Sequence, residues 1–470
     1  MKSILNRITC GYLIITVAIT LIGRIIPIKI LIGPHVDALL YILLASLGAV
    51  ILLFDLFSTK IWYKGANVFV LYGFIGIMAI SSLLNLKYGF SDNIKTIAWT
   101  TIHFALFYTM YLRLEKKQMI SLIDKIWIGV CAVWFIPICY SIYQFISQEA
   151  YAALVDSERY VRQGFVENRL FGVFNDPNYA AIMSLGVFFA CVYLFSKYKN
   201  KFFRAFMIIN FILQPWYIVL SGSRTALVTF CISLTLFLWL KIYQKNKKAI
   251  LYFVTPIIAI CLVCGGDYVV KKVSSPLPQV YEAIFEDNHT TDNQHPDNNK
   301  PSLDNKDILN RVDSSADNIS NNRFTIWKSY LEDLDGDILF GGSPRNFLSK
   351  WIDKNPDGYL AGTHYETHNG YLSVLVATGV LGFATILAFA VLYFISIIKY
   401  FKTQPKIENE FIFLLVFLAL ILVYTFFFTE LFFIHCYTSV LFWLHCGILN
   451  YWIGSPKAKQ VKKNKRRENL

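Results

Sequence analysis

Charged side chains are scarce in this sequence. Asp, Glu, Lys and Arg account for 16% of its 470 residues, whereas hydrophobic residues account for 56%. A soluble domain usually carries about a quarter charged residues, so the scarcity argues against a soluble protein and favours membrane spans. Each span needs about 20 apolar residues. Twelve segments have this character, near residues 9–22, 36–57, 67–84, 94–112, 126–146, 178–196, 203–221, 224–241, 249–266, 369–398, 410–428 and 431–453.

Cysteine is absent from the largest polar segment, residues 268–368, although nine cysteines occur elsewhere in the chain. An exported domain held together by disulfides would place its cysteines there. Cys261 and Cys264 form a C-x-x-C pattern, but the pattern lies within an apolar segment. We interpret these two residues as small side chains in helix packing rather than as a redox motif.

The basic residues favour one orientation in the membrane. If the N-terminus is cytoplasmic, the loops on that side hold most of the Lys and Arg residues, as cytoplasmic loops usually do. The segment 268–368 then lies outside, with ten Lys and Arg residues against sixteen Asp and Glu residues. The net charge of +13 therefore reflects topology and does not indicate nucleic-acid binding. The basic tail 457–467 is expected to be solvated, and it contacts anionic lipid head groups at most.

The sequence thus predicts an all-α integral membrane protein with about twelve transmembrane helices. Residues 1–267 are expected to hold spans one to nine, and residues 268–368 a large extracytoplasmic loop that carries short amphipathic helices. Residues 369–453 are expected to hold spans ten to twelve, and residues 454–470 a basic cytoplasmic tail. Both termini are then cytoplasmic.

The composition of the large loop changes at Arg323. Residues 288–322 are rich in Asn, Asp and Ser, which predicts a mobile tether. A helix is predicted to begin at Arg323 with Asn322 as its N-cap, and a second helix at Ser343 and Pro344. The two helices either lie on the bilayer surface or cap a cavity among the spans, and the sequence fits both arrangements.

The first candidate site is the turn Ser221-Gly222-Ser223-Arg224 between two predicted spans. Ser223 is a natural N-cap, so the first amides of the following helix point outward. Together with the guanidinium of Arg224, these donors suit a phosphate group. The alternative is an arginine that reaches to the lipid head groups. A cation at a helix N-terminus opposes the helix dipole, and a bound anion would resolve that conflict.

Two further arginines repeat this arrangement. Arg169 lies shortly before Asp176 and Pro177, which are the predicted N-cap and first residue of the sixth span. Arg323 begins the first outer helix, and Arg345 is a weaker repeat. Many surface arginines share these features, so none of them is specific alone.

His368 lies where the polar segment meets the next apolar run. An imidazole titrates near neutral pH and can accept a proton from a hydroxyl group. His364, four residues earlier, and Glu366 suggest a metal site on one face of a helix. No third ligand is evident and the zinc-protease motif is absent, so we expect no metal. Three other histidines are expected to be packed or hydrogen-bonded among the spans: His103, His435 and His445.

Taken in order, these motifs resemble those of the O-antigen ligase/polymerase family of bacterial membrane glycosyltransferases. The resemblance covers roughly residues 165–385, including the large loop between the arginine turn and the histidine. It rests on Asn168–Asn178, on Gly222-Ser223-Arg224-Thr225-Ala226, on Arg323 with Trp327, and on His368-Asn369-Gly370-Tyr371-Leu372 followed by Gly379 and Gly382.

The resemblance implies a glycosyltransferase-C-like helical bundle in a bacterial cytoplasmic (inner) membrane, with an extracytoplasmic active site. The implied donor is an undecaprenyl-pyrophosphate-linked glycan, and the implied acceptor is a sugar of a lipid-linked repeat unit or of the lipid A core. Neither a cofactor nor a metal is implied. Arg224 and Arg323 are expected to hold the pyrophosphate with Arg169 as a helper, and His368 is expected to activate the acceptor hydroxyl.

Three functions remain open at this point. We favour an O-antigen or capsular polysaccharide polymerase, and the first alternative is an O-antigen ligase that acts on the lipid A core. A polysaccharide flippase or transporter would place charges near the bilayer midplane and often shows repeated halves. The candidate groups lie at the outer ends of the spans instead, which favours an enzyme.

Overall fold

The computed structural model describes residues 2–155, 160–245, 249–285, 309, 322–404 and 406–454. Nearly all of the predicted tether 288–322 and the tail from residue 455 onward lie outside the described residues, so the predictions for them stay predictions. The described residues are mostly helical, as expected. Their α-helices are α1 (Lys2–Ile22), α2 (Ile26–Ile32), α3 (Pro34–Ser58), α4 (Val68–Leu84), α5 (Phe90–Ile102), α6 (Lys116–Ile146), α7 (Pro177–Lys197), α8 (Lys201–Leu220), α9 (Arg224–Lys245), α10 (Ala249–Ser274), α11 (Leu277–Phe285), α12 (Arg323–Glu332), α13 (Phe347–Lys354), α14 (Tyr359–Thr363), α15 (Gly370–Thr403), α16 (Asn409–Thr425), α17 (Glu430–Phe433) and α18 (Tyr437–Ile453).

Eight of the described helices are long and apolar enough to cross a membrane. They are Ser3–Ile22, Pro34–Ser58, Lys116–Ile146, Pro177–Lys197, Lys201–Leu220, Arg224–Tyr243, Ile250–Phe285 and Gly370–Thr403. Each of the twelve predicted spans coincides with helical structure, but the number twelve is not confirmed. The apolar helices α4 and α16 are only 17 residues long, which is about 25 Å of helix.

The chain divides into two compact units. Unit 1 comprises Met1–Thr20, Leu40–Ile123 and Asn318–Leu470, and unit 2 comprises Leu21–Leu39 and Asp124–Asp317. The long helices α3 and α6 each begin in one unit and end in the other. Of the described residues in the predicted large loop, those up to Phe285 and residue 309 fall in unit 2 and those from Asn322 onward fall in unit 1.

The prediction of an all-α protein is wrong in one place, since unit 2 contains a small antiparallel sheet. Its strands, in the order β1-β2-β3, are β1 (Ala150–Leu154), β2 (Tyr160–Val166) and β3 (Arg169–Gly172). Glu167 and Asn168 both have positive φ, 53° and 56°, and form the two-residue turn between β2 and β3. Turns of this kind match the twist of paired strands. The segment is rich in charged residues, as irregular loops often are, so its sequence did not lead us to predict strands.

Helix α15 is broken at Gly379, which has φ 67° and ψ −173°. A stretch of the predicted large loop, residues 338–343, crosses the break and bonds to both sides of it. The amide of Gly342 donates to the carbonyl of Val376, and the amide of Val380 donates to the carbonyl of Ile338, each at 2.8 Å. The loop is thus built into unit 1, and the peptide groups that the break releases are paired.

Of the two helix starts predicted in the large loop, the first is confirmed and the second is wrong. Helix α12 begins at Arg323 as predicted, but Asn322 is left-handed and its side chain makes no cap bond. The second helix, α13, begins three residues later than predicted, because Ser343 has φ 141° and lies in the crossing stretch. The hydroxyl of Ser343 donates to the carbonyl of Tyr88, so it is engaged in tertiary structure rather than in capping.

Unit 1 also contains a fully buried ion pair. Nη2 of Arg113 lies 2.9 Å from Oδ2 of Asp55 on α3, and neither side chain is exposed. A second bond joins Nη1 to Oδ1 at 3.1 Å, and the amide of Trp62 donates to Oδ2 at 3.2 Å. A buried ion pair needs such additional bonds to offset its desolvation. Arg113, which lies in a predicted cytoplasmic loop, is therefore part of the protein interior.

Candidate active site

The arginine turn of unit 2 joins α8 to α9. Gly222 has φ 61°, a conformation that is accessible to glycine at little cost. Ser223 Oγ accepts from the amide of Ala226 at 3.3 Å, which confirms Ser223 as the N-cap of α9. Arg224 is therefore the first residue of a long helix, where the amides and the helix dipole favour an anion.

One nitrogen of the Arg224 guanidinium is buried without a hydrogen bond to any described residue. This atom is Nη2, and it is shielded from solvent. A buried charged donor without an acceptor is unfavourable, because it has lost water and gained nothing in return. An anionic ligand at this turn would supply the missing acceptor.

Arg169 fastens the sheet to the same turn. It is the first residue of β3, and its Nε donates to the carbonyl of Ser221 at 3.0 Å. Its Nη2 donates to Oδ1 of Asn178, in the first turn of α7, at 3.1 Å. Helix α7 is capped by Asp176, whose carboxylate accepts from the amides of Asn178 and Tyr179, as predicted. Arg169 therefore holds the backbone of the arginine turn against α7.

Sequence reasoning missed a third arginine of unit 2, Arg24. Its guanidinium carbon lies 5.3 Å from the centre of the Tyr179 ring, beside the residue that Arg169 contacts. The amide of Ile26 donates to the carbonyl of Val173 at 2.8 Å, which ties the turn after α1 to the segment before α7. About 150 residues separate Arg24 from Tyr179, and no local pattern indicates that the two meet.

Arg323 lies in unit 1, at the first turn of α12. Its guanidinium carbon lies 5.3 Å from the centre of the Phe427 ring, in the connection between α16 and α17. Within α12, Ile326 and Tyr330 are buried, and they fix the side of the helix that faces the protein. Arg323 thus lies on a helix whose position is set by packing.

Helix α12 also holds the segment that precedes His368. Nε1 of Trp327 donates to the carbonyl of Thr367 at 2.9 Å, and the hydroxyl of Tyr330 donates to the carbonyl of Tyr365 at 3.0 Å. Burial raises the pKa of Tyr330, so its hydroxyl keeps its proton and remains a donor. Two hydrogen bonds from one helix therefore fix the backbone next to the candidate base.

The motif His368-Asn369-Gly370 forms the start of α15. Asn369 is the N-cap, and its Oδ1 accepts from the amides of Tyr371 and Leu372 at 3.0 and 3.1 Å. A Cβ atom on Gly370 would lie 2.5 Å from Thr425, so only glycine fits there. His368 itself has φ 46° and is half-buried, immediately before the cap. Asn369 and Gly370 therefore have structural roles, and the imidazole of His368 is the group of the motif that is available for chemistry.

The metal-site geometry considered from the sequence is wrong. His364 ends α14 in a left-handed conformation, and the residues from His364 to His368 are not helical, so the two histidines share no helical face. In the described part of the chain, no three His, Cys, Asp or Glu side chains group as metal ligands. Glu366 instead contacts Thr429 Oγ1 at 3.3 Å and Arg345 Nη1 at 4.0 Å.

Three histidines, His103, His435 and His445, are packed inside unit 1, as expected. Nε2 of His103 lies 3.0 Å from Nδ1 of His435, which also stacks on Trp99. Nδ1 of His445 lies 2.6 Å from the carbonyl of Leu441. These contacts are typical of structural histidines and leave His368 as the strongest candidate base.

The four predicted site residues are divided equally between the units. Arg169 and Arg224 belong to unit 2 and meet through Ser221. Arg323 and His368 belong to unit 1, where α12 contacts the residue before His368.

A comparison with protein families matches residues 209–387 to the family model described as O-antigen ligase, Wzy_C. This segment is similar to that family. It covers less than half of the chain but contains Arg224, Arg323 and His368. A comparison with curated proteins finds no match.

The similarity to this family agrees with the long apolar helices. The chain is a multi-pass membrane protein, and residues 209–387 of it are similar to the Wzy_C family. Enzymes of this family transfer lipid-linked glycans. Arg24 and Arg169 lie outside the matched residues, so the family model does not bear on them.

Proposed function

We propose that this protein transfers a glycan from undecaprenyl pyrophosphate to a sugar hydroxyl at the outer face of the cytoplasmic membrane, as an O-antigen or capsular polysaccharide polymerase. The observation that carries the proposal is the buried Nη2 atom of Arg224, which has no acceptor among the described residues. A pyrophosphate oxygen would supply that acceptor, at the N-terminus of α9 where the helix dipole also favours an anion.

The proposed role of the arginines follows from the charge that develops during the reaction. When the glycan leaves the carrier, negative charge accumulates on the departing pyrophosphate. Fixed cations directed at that charge lower the barrier, and the loss of one such donor typically slows a reaction about 10²- to 10³-fold. Arg224 and Arg323 are the proposed donors, and Arg169 positions the turn that carries Arg224. Arg24 would add positive charge at the first turn of α7.

His368 is proposed to accept the proton of the acceptor hydroxyl. The acceptor oxygen attacks the anomeric carbon of the donor glycan and forms the new glycosidic bond. The bond from that carbon to the pyrophosphate oxygen breaks, its electron pair leaves with the pyrophosphate, and the hydroxyl proton passes to the imidazole. Such general-base help contributes roughly 10²- to 10⁴-fold.

An O-antigen ligase is the second candidate, because the matching family model carries that description. The two functions use the same donor and the same chemistry. They differ in the acceptor, which is a lipid-linked repeat unit for a polymerase and a core sugar of lipid A for a ligase.

The test uses a strain in which the gene is deleted and replaced by single variants. Arg224→Ala, Arg323→Ala and His368→Ala are each expected to lower glycan transfer at least 10²-fold at unchanged protein levels. Two matched controls should keep full activity. Arg162→Ala removes an exposed arginine that pairs with Glu167 on the same hairpin as Arg169. His364→Ala removes an exposed histidine four residues from His368.

Extracted lipids identify the step that fails. Single repeats that accumulate on the carrier in the outer leaflet indicate a polymerase, and long chains on the carrier indicate a ligase. Accumulation on the cytoplasmic leaflet would contradict both and indicate a flippase. Transfer by the purified protein should persist in EDTA, whereas a requirement for a divalent cation would contradict the assignment of charge stabilisation to the arginines.

A further inference from the structure

Unit 2 contains an apolar cavity of about 380 Å³ among the helices α7, α8, α9 and α10. On α9 its wall is formed by Leu227, Phe230, Leu234 and Phe237, which recur on one side of the helix. These residues span ten positions, or about 15 Å along the helix axis. The cavity is therefore elongated along α9, a shape that suits a chain rather than a compact ligand.

One end of the cavity lies directly below the arginine turn. Leu227 is three residues after Arg224, and Ile218 and Val219 belong to the last turn of α8 before Ser221. A ligand whose phosphate binds at Arg224 would therefore have its next atoms at the mouth of the cavity.

The cavity wall is almost entirely hydrocarbon. Among the lining residues Asp267 is the only one with a polar side chain, and it pairs with Lys271 at 2.9 Å. Helices α9 and α10 are joined by a short connection and pack together, so Asp267 near the end of α10 lies at the level of the start of α9. Leu262 on the wall is 58% exposed, so the cavity opens at its side.

We propose that this cavity binds the first isoprene units of the polyisoprenoid chain of the donor. This inference rests on the proposed function, since it takes the ligand of Arg224 to be a lipid-linked pyrophosphate. In such a donor the chain begins at the phosphate, as the cavity begins at the arginine turn. Isoprene units that fill the cavity would make van der Waals contacts with its wall, and these contacts would add affinity for the donor. The remainder of the chain passes through the side opening into the bilayer.

Two neighbouring glycines of α10 provide a matched test. Gly266 lines the cavity and Gly265 does not. A Cβ atom built on either glycine meets no atom within 4 Å, so both positions accept a side chain without a clash at Cβ. Gly266→Leu would place four carbon atoms at the cavity, whereas Gly265→Leu would add the same atoms outside it. Both substitutions favour the helix equally.

The full-length protein in vesicles is assayed with two donors that carry the same glycan, one on a long polyisoprenoid pyrophosphate and one on a pyrophosphate without an isoprene chain. Gly266→Leu is expected to raise KM for the long donor about tenfold, with kcat within about twofold of the wild type, because the leucine occupies the space of the first isoprene units. Its KM for the donor without a chain should change less than about threefold, because that donor places no group in the cavity. Gly265→Leu should match the wild type with both donors.

Equal KM values for the long donor in the two variants would overturn the proposal. A second result would also overturn it. If a diazirine-bearing phospholipid labels Phe230 and a long polyisoprenoid pyrophosphate does not reduce that labelling, the cavity holds a membrane lipid. Failure of the proposed function looks different, because the wild-type protein would then transfer glycan from neither donor.

Discussion

At the scale of single residues, the position of His368 depends on Trp327. The indole Nε1 of Trp327 donates to the carbonyl of Thr367 at 2.9 Å, and nothing in that bond takes part in the proposed chemistry. Trp327 is therefore a positioning residue. A shift of about 1 Å in a catalytic group can slow a reaction about 10²-fold.

Trp327→Phe keeps an aromatic ring and removes only the donor. We expect kcat to fall about 10- to 100-fold with KM for the donor nearly unchanged, because the base moves and the arginines do not. Trp239→Phe is the matched control, since it removes an indole bond of 2.8 Å to the carbonyl of Tyr252 in unit 2. Each variant loses about 1 kcal/mol of stability. If both lower kcat equally, Trp327 has no special role.

Residue-scale prediction succeeded where chemistry is local. Asp176 and Ser223 were identified as N-caps because a short polar side chain before an apolar helix has few other roles. It failed at Ser343, where a similar pattern serves a tertiary contact instead. It also missed Arg24, whose neighbour Tyr179 is brought to it by the fold. The roles of Arg224, Arg323 and His368 remain predictions.

At the scale of elements, the break in α15 depends on the absence of a side chain at Gly379. A Cβ atom on Gly379 would lie 2.3 Å from the backbone of Leu339, and the residue has φ 67°. Gly379→Ala therefore combines a steric clash with a strained backbone. We expect it to lower the free energy of unfolding by about 2–5 kcal/mol, measured as a lower midpoint of thermal unfolding in detergent.

The matched control for this substitution is Gly76→Ala. Gly76 lies in α4, and a Cβ atom there meets nothing within 4 Å. Replacing a helical glycine by alanine usually stabilises a helix by about 0.5–1 kcal/mol, so Gly76→Ala should unfold at the same temperature as the wild type or slightly higher. A stable Gly379→Ala protein would show that the loop does not need to cross the helix at this point.

Most helices were predictable because a helix that must bury an apolar surface shows a long apolar run, as in α7 and α8. The sheet formed by β1, β2 and β3 was not predictable, because its strands are short and the pairing of β2 with β3 depends on the turn at Glu167 and Asn168. The loop that crosses α15 was also not predictable. Its pairing joins residues about 40 positions apart, and no composition signal marks it.

At the scale of the whole molecule, the basic residues set the expected orientation, which remains a prediction. Cytoplasmic loops usually carry the excess of Lys and Arg. One of these basic residues should not be counted. Arg113 is buried in an ion pair with Asp55 within unit 1, so it does not act as a free cation at the membrane surface. The remaining basic residues still favour cytoplasmic termini and an outer location for Arg224 and His368.

Two fusions that differ by one long span test this orientation. Alkaline phosphatase is active only when exported, so a fusion after Phe285, at the end of α11, should be active. A fusion after Thr403, at the end of α15, should be inactive, because α15 is long and apolar enough to return the chain to the cytoplasm. The reverse result would place His368 on the cytoplasmic side, where no outer-leaflet donor could reach it. Activity at both positions would show that α15 does not cross the membrane.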